Sequence, residues 1–243
     1  MNTRTWVIFG VVCVILFGGL IAYSRSQSNS ASVDQIDANS ILSASPSSGD
    51  IADHVLGNRD SKVVLIEYGD FQCPSCGGAH AGVKQIMEEY KDTVAFVYRN
   101  FPLTSMHPNA VAAATAAEAA GLQDKYWDMH NLVFETQNDW SNLSINQRTE
   151  QFVQYAEQVG VKDIEQFRRD QSDSRISKKI SFDQALGKKK NVTATPSFFL
   201  NGEKLESDIS NTLVQGDVSK IRTLLDTILK EKGIVAPAAN TEE

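Results

Sequence analysis

Cys73 and Cys76 stand three positions apart and enclose Pro74 and Ser75. The third cysteine of the chain, Cys13, lies in an apolar run near the N-terminus, out of reach of the pair. The stretch before the pair, Val63-Val64-Leu65-Ile66-Glu67-Tyr68, reads as a buried strand. After it, Ala79, Val83, Ile86, Met87 and Tyr90 recur at helical spacing, and Pro74 suits a first helical turn, where its missing N–H is no loss. Cys73 therefore falls at the N-terminal edge of a helix, where unpaired backbone N–H groups and the positive dipole end favour a thiolate. Cys76 falls about one turn further in, toward apolar surroundings. The spacing predicts an exposed, acidic thiol at Cys73 and a buried, neutral one at Cys76. Such a pair can close a small disulfide loop, open it and pass it to another protein.

Other chemistries fit less well. Cys73, Cys76 and His80 could bind a soft metal, but a closed zinc site needs a fourth ligand and no second Cys/His pair has suitable spacing. A non-catalytic adaptor would have no use for the cysteine pair. Three cysteines are too few and odd in number for a disulfide scaffold. The net charge of −7 argues against nucleic-acid binding, and the longest basic run, Lys188-Lys189-Lys190, belongs at a helix C-terminus. Hydrophobic residues make up 42% of the 243, enough for a fair-sized globular core.

The elements that must position the pair follow in order. Trp6 to Tyr23 is uncharged and apolar, nearly long enough to span a bilayer core of roughly 30 Å. Residues 1–24 are read as an N-terminal transmembrane helix in preference to a cleaved signal, because no good small-residue cleavage site follows. Residues 25–50, rich in Ser, Asn and Ala, are expected to form a flexible tether. Thr93 to Phe101 alternates as a second strand. From Pro108 to about Lys190 the pattern is helical throughout, with apolar stripes that are most simply core faces. Strand character returns at Ser197-Phe198-Phe199-Leu200, and Asn201-Gly202 is a hairpin turn signal leading to a return strand at Glu203 to Glu206. Val218, Ile221, Leu224, Leu225, Ile228 and Leu229 mark a last amphipathic helix stopped by Gly233. Residues 234–243 read as a disordered tail. With the helical block set aside, the order is βαβ–ββα, the thioredoxin-like plan of one mixed sheet with helices on both faces. The fold class is thus α/β: a thioredoxin-like domain over 51–105 and 192–233, an all-helical insertion over 106–191, and one N-terminal transmembrane helix.

Phe71-Gln72-Cys73-Pro74-Ser75-Cys76-Gly77-Gly78, Glu67-Tyr68-Gly69-Asp70, Arg99-Asn100-Phe101-Pro102-Leu103 and Ala194-Thr195-Pro196-Ser197-Phe198-Phe199 together resemble the DsbA-like branch of the thioredoxin superfamily, in its membrane-anchored or secreted bacterial forms. The resemblance covers about Ile51 to Gly233. It implies an extracytoplasmic thiol–disulfide oxidoreductase, single-pass in the cell membrane. Its cofactor would be nothing beyond the Cys73–Cys76 disulfide. Its partners would be reduced exported polypeptides and a membrane quinone-linked thiol oxidase that restores the disulfide. Cys73 would be the nucleophile and Cys76 the resolving thiol, with Pro74 and Ser75 between them. Pro196 would follow a cis bond and face the disulfide, leaving the Thr195 backbone to pair with extended substrate; without the resemblance an ordinary trans proline would be expected. Glu67 matches the position of a buried acid that relays a proton to Cys76. Its spacing alone favours an outward-facing residue at the strand end. The chain departs from the strongest oxidants of the family at Ser75, where they carry histidine. Oxidase, reductase and isomerase share these residues. Isomerases of the superfamily usually carry a dimerisation domain that a Ser-rich tether cannot form, which places oxidase first.

Overall fold

The structure, a computed structural model, describes residues 33–237. The expected membrane helix lies outside the described residues. Among these, no helix is long and apolar enough to cross a membrane. The chain divides into two units, 1–36 and 37–243. Of the first, only a 3₁₀ turn at Val33–Gln35 is described. All the elements that follow belong to the second.

A five-stranded sheet lies at the centre: β1 (Val55–Gly57), β2 (Val64–Gly69), β3 (Ala95–Asn100), β4 (Ser197–Leu200) and β5 (Glu203–Lys204), in the order β1-β3-β2-β4-β5. β2 and β3 are parallel; the other pairs are antiparallel. The parallel pair is joined by helix α1 (Pro74–Tyr90). All of β3, and all of β2 after Val64, is buried, which accounts for the nearly unbroken apolar runs in the sequence. Asn201 and Gly202 both take positive φ, at 49° and 87°, as the hairpin between β4 and β5 requires.

Between β3 and β4 the chain is helical: α2 (Ala110–Gly121), α3 (Tyr126–Glu135), α4 (Gln137–Trp140), α5 (Ile145–Gln158), α6 (Ile164–Asp170) and α7 (Ser174–Lys189). After β5 come α8 (Ser207–Val214) and α9 (Ser219–Glu231). The sequence pattern marks α9, which buries Ile221, Leu225 and Leu229. It does not mark α8, a two-turn helix in which Leu213 is buried and Ile209 and Val214 only partly so.

Alternation along the strands gives the sheet two different faces. Glu67 and its register partner Tyr98 share the face covered by α1 and α3, where Tyr98 packs on Phe71 and Phe134. Tyr68 and Arg99 share the opposite face, against α7, whose Gly187 lies over the Tyr68 and Phe101 rings. The helical faces expected from the sequence are the buried ones: Ala79, Val83, Ile86, Met87 and Tyr90 of α1 all point inward.

The tether expected over 25–50 is corrected for residues 37–50. The buried Arg99 guanidinium donates to Ala38 O (2.6 Å), Ser40 O (2.8 Å), Asp53 Oδ2 (2.7 Å) and the Tyr68 hydroxyl (3.1 Å). A charge buried inside the sheet needs partners, and this polar segment supplies carbonyls where no apolar pattern announces them. Lys179 of α7 joins the cluster, donating to Asp53 Oδ1 (3.0 Å) and Asp183 Oδ1 (2.7 Å). Burial alone would raise the Asp53 carboxyl; Lys179 and Arg99 outweigh it and hold Asp53 below the usual carboxylate range. The tail also begins later than expected. Ile234 N–H donates to Leu229 O (2.9 Å), and Ile234 and Ala236 pack on the core. Residues 238–243 of the expected tail lie outside the described residues.

Asp53→Ala would leave two buried cations short of their shared carboxylate. Loss of one partner from a buried ion cluster costs about 3–5 kcal/mol. Urea unfolding of the variant should show a loss in that range with the Cys73 thiolate titration unmoved; a loss under ~1 kcal/mol would sink the assignment of Asp53 as the hub.

Candidate active site

Cys73 is the N-cap of α1, with φ −71° and ψ 121°, and Pro74 opens the helix behind it. Its N–H donates to Asp70 O (3.0 Å) and its carbonyl accepts the Gly77 N–H (3.1 Å). Cys76 lies one turn on, and the Asp70 N–H approaches its sulfur at 3.5 Å. Both cysteines are free thiols here. The Thr195–Pro196 peptide bond, which leads into β4, is cis. Cys73 Sγ donates to the Thr195 carbonyl at 3.4 Å. The structure therefore brings Cys73, Cys76, Thr195, Pro196 and Glu67 together around the end of α1, with Pro74 and Ser75 exposed beside them.

The expectation of an exposed Cys73 is corrected. Cys73 is 7% exposed and Cys76 1%, so the contrast between them lies less in access than in electrostatics. A hydrogen bond from the Cys76 thiol is the main reason that the Cys73 thiol falls to about 5. Burial opposes it, while the Thr195 side chain and the backbone N–H groups of Cys76 and Ser75 add to it. The two backbone donors are what a helix N-terminus offers an anion. Burial pushes Cys76 well above the ordinary thiol value, and the neighbouring Cys73 and Glu67 push it further.

Glu67 is inside, not at an outward strand end. It is 3% exposed, between Tyr98 on β3 and Phe198 on β4, and its Oε1 has no hydrogen-bond partner. Burial raises its carboxyl to about 8, and negative charge on Cys73 raises it too. At neutral pH the site thus keeps a proton on Glu67 and gives one up from Cys73, the reverse of the order in water. His80 lies on the inner side of α1, stacked on Phe134 with ring centroids 5.1 Å apart. Among the described residues, no group of three or more His, Cys, Asp and Glu side chains is placed to hold a metal ion.

Residues that sequence reasoning missed hold the loop before α1. Asp70 Oδ1 accepts the Gln72 N–H (2.8 Å); its Oδ2 accepts the Leu103 N–H (2.8 Å) and lies 2.8 Å from His107 Nδ1. Gln72 bridges to the helical block, donating to Ser141 O (2.8 Å) and accepting the Asn109 N–H (2.6 Å). Gln137 reaches from α4 and donates to Phe71 O (2.7 Å) and Cys73 O (2.9 Å). Asp70 and Gln72 adjoin the motif and were visible as part of it. Gln137, His107 and Asn109 sit 64, 34 and 36 positions from Cys73 and carry no local signal.

A thioredoxin family model matches residues 50–217. The chain belongs to the thioredoxin family, and its fold is that of DsbA-type thiol–disulfide oxidoreductases. A thioredoxin-like oxidoreductase from Silicibacter pomeroyi DSS-3 is 27% identical with a TM-score of 0.58, covering 73% of this chain and 92% of its own. Wolbachia pipientis alpha-DsbA1 is 23% identical with a TM-score of 0.60, covering 74% and 92%. Among curated proteins, the Na(+)/H(+) antiporter NhaA 1 of Salinispora arenicola is 38% identical over 152 residues, 63% of this chain and 22% of the antiporter. The chain thus spans about a fifth of the length of the curated relatives it matches.

Titration of the reduced protein at 240 nm should give a Cys73 thiolate midpoint near 5; a midpoint above 8 would refute the donor set. Glu67 binds its proton more tightly folded than unfolded. Its contribution to stability is therefore complete below about 4.5 and is lost as pH rises through about 8. Relative to Glu67→Gln, the wild type should lose up to about 1.4 kcal/mol per pH unit across that window, and parallel stability curves would count against a buried acid.

Proposed function

We propose that the protein introduces disulfide bonds into reduced exported polypeptides by dithiol–disulfide exchange at Cys73 and Cys76. The observation that carries this is the asymmetry of the two thiols, one near 5 and the other far above neutral. A substrate thiolate attacks the Cys73 sulfur; the Cys73–Cys76 bond breaks and its electron pair goes to Cys76, which takes a proton from Glu67. A second substrate thiolate then attacks the substrate sulfur of the mixed disulfide and expels Cys73. The best leaving group is the thiol of lowest pKa, and Cys73 is that thiol. The substrate leaves with a new disulfide, and the enzyme holds the two electrons. A membrane quinone-linked thiol oxidase is the partner proposed to remove them.

Direction follows from the same asymmetry. A thiolate stabilised in the reduced protein makes the disulfide easier to give away, by about 30 mV for each pH unit that its pKa lies below the working pH. This favours oxidase over reductase. The Thr195 carbonyl and half-buried Pro196, beside Cys73, suit an extended substrate chain laid across the thiol. A place outside the cytoplasm, with the apolar run Trp6 to Tyr23 as anchor, fits an oxidising role, since the cytosol keeps thiols reduced.

Cys73→Ser should abolish oxidation of a reduced peptide dithiol, and retained turnover would reject the mechanism. Cys76→Ser should instead accumulate mixed disulfides with substrate, visible on a non-reducing gel. The reduction potential against glutathione buffers should lie near or above that of glutathione. A value far below it would turn the assignment to a reductase.

A further inference from the structure

Phe71 and Cys73 stand on either side of Gln72, in the turn that presents the reactive sulfur. One side chain from the helical insertion holds the backbone of both: Gln137 Nε2 donates to Phe71 O at 2.7 Å and to Cys73 O at 2.9 Å. A primary amide nitrogen carries two protons, one for each carbonyl. An ionised glutamate at position 137 would bring no donor at all, and asparagine would fall a methylene short. The residue type is therefore matched to two carbonyls at this reach.

Gln137 can serve as a fixed post because α4 is itself anchored. Trp140, at the other end of that helix, is wholly buried; its Nε1 donates to Val133 O (2.8 Å) and its ring packs on Phe152. Gln72 closes the link in the opposite direction, donating to Ser141 O just past α4 and accepting the Asn109 N–H. Gly77 makes the room. A Cβ there would come within 2.6 Å of Gln137 Oε1. The Gly77 N–H also donates to Cys73 O (3.1 Å), so that carbonyl takes one donor from its own helix and a second from the insertion. Pro74 confines Cys73 to extended backbone, which it adopts with φ −71° and ψ 121°. Within that region the bonds to the two carbonyls decide how the flanking peptide planes tilt, and so where the sulfur stands.

We propose that Gln137 is a positioning residue for the exchange: by fixing the carbonyls of Phe71 and Cys73 it holds the Cys73 sulfur over the N–H groups of Ser75 and Cys76. This role rests on the exchange chemistry assigned above. Hydrogen bonds weaken steeply as they bend. A small tilt of the peptide between Cys73 and Pro74 therefore costs a thiolate its donors, whereas a neutral thiol gains less from them and loses less. Those backbone donors are among the groups that lower the Cys73 thiol. Gln137 thus acts on the acidity of Cys73 through the backbone, from a helix that begins 64 positions away.

A contact that served packing alone would change stability and leave the sulfur as it was, so the test reads the sulfur. Gln137→Met keeps the length of the side chain and removes both donors. Titration of the reduced variant at 240 nm should show Cys73 about tenfold less acidic than in the wild type, the scale of one charge-assisted hydrogen bond. The reduction potential against glutathione buffers should fall by about 30 mV, the equivalent of tenfold. Gly77→Ala reaches the same bond from the other side. The atoms nearest the new methyl all belong to the Gln137 amide, and alanine suits a helix better than glycine, so the amide is displaced while the fold is kept. This variant should move both readings in the same direction. Asn138→Ala, at an exposed position of α4, should move neither. A midpoint equal to wild type in folded Gln137→Met or in Gly77→Ala would overturn the role, whatever the loss of stability, as would an equal shift in Asn138→Ala. Should Gln137→Met fail to fold, Gly77→Ala decides. Retained turnover in Cys73→Ser would instead overturn the exchange function; the titration needs no substrate, so the two failures are distinguishable.

Discussion

The structure turns on a single electrostatic arrangement: a sulfur placed at the open N-terminus of α1. Peptide N–H groups at a helix start have no carbonyl to serve within the helix, and together with the dipole they favour an anion. Cys73 occupies that position as N-cap, and its own side chain makes no capping bond. The donors that an ordinary cap would satisfy remain available to the thiolate. Every other feature of the site keeps this geometry in place. Pro74 starts the helix immediately behind the cysteine. Asp70 ties the preceding turn to both cysteines through its backbone and to the loop after β3 through its carboxylate. Gln137 holds the Cys73 carbonyl from the far side.

The helical insertion is therefore part of the site as well as a cover for it. Ser141 and Asn109 take both ends of the Gln72 amide, and Gln137 adds two more bonds to the same short stretch. A sheet alone would leave the turn before α1 to solvent. On the other face, the Arg99–Asp53–Lys179–Asp183 cluster ties residues 37–53 and α7 to β3. A buried cluster of this kind contributes little net free energy against an apolar replacement, but it is costly to break. Its effect is to fix which segment lies against which strand, and so to hold Asn100 and the loop that reaches Asp70.

Much of this was legible in the residues and some was not, for identifiable reasons. The strand–helix junction at Cys73, the strand at β3, the Asn201-Gly202 turn and the apolar faces of α1 and α9 are local patterns, and local patterns survive in sequence. The burial of Glu67 could not be settled that way, because one acid in a strand reads the same at an end or in the middle. Its neighbours across the sheet, Tyr98 and Phe198, decide it, and they come from positions far apart in the chain. Residues 37–50 look like a tether because their contribution is made by backbone carbonyls, which no side-chain pattern records. Cys73 was expected in the open for a similar reason: the neighbouring loop at Thr195 covers it, 122 positions away.

The pairing of Cys73 with Glu67 shows how a buried site can shift chemistry without adding charge. In an unfolded chain near neutral pH the carboxyl is ionised and the thiol is not. Folding reverses the two, because the carboxyl loses its water and gains no donor, while the thiol gains several. The site carries one negative charge either way. What changes is its location, from an oxygen that cannot take part in exchange to a sulfur that can. The proton moves the opposite way, to Glu67, whose charge is felt at Cys76. A single relocation of charge thus prepares both halves of the reaction, a good leaving group at Cys73 and a proton for Cys76. It depends on Glu67 staying buried with its Oε1 free of any donor, since either exposure or a donor would return the carboxyl toward its ordinary value and leave Cys76 without its proton.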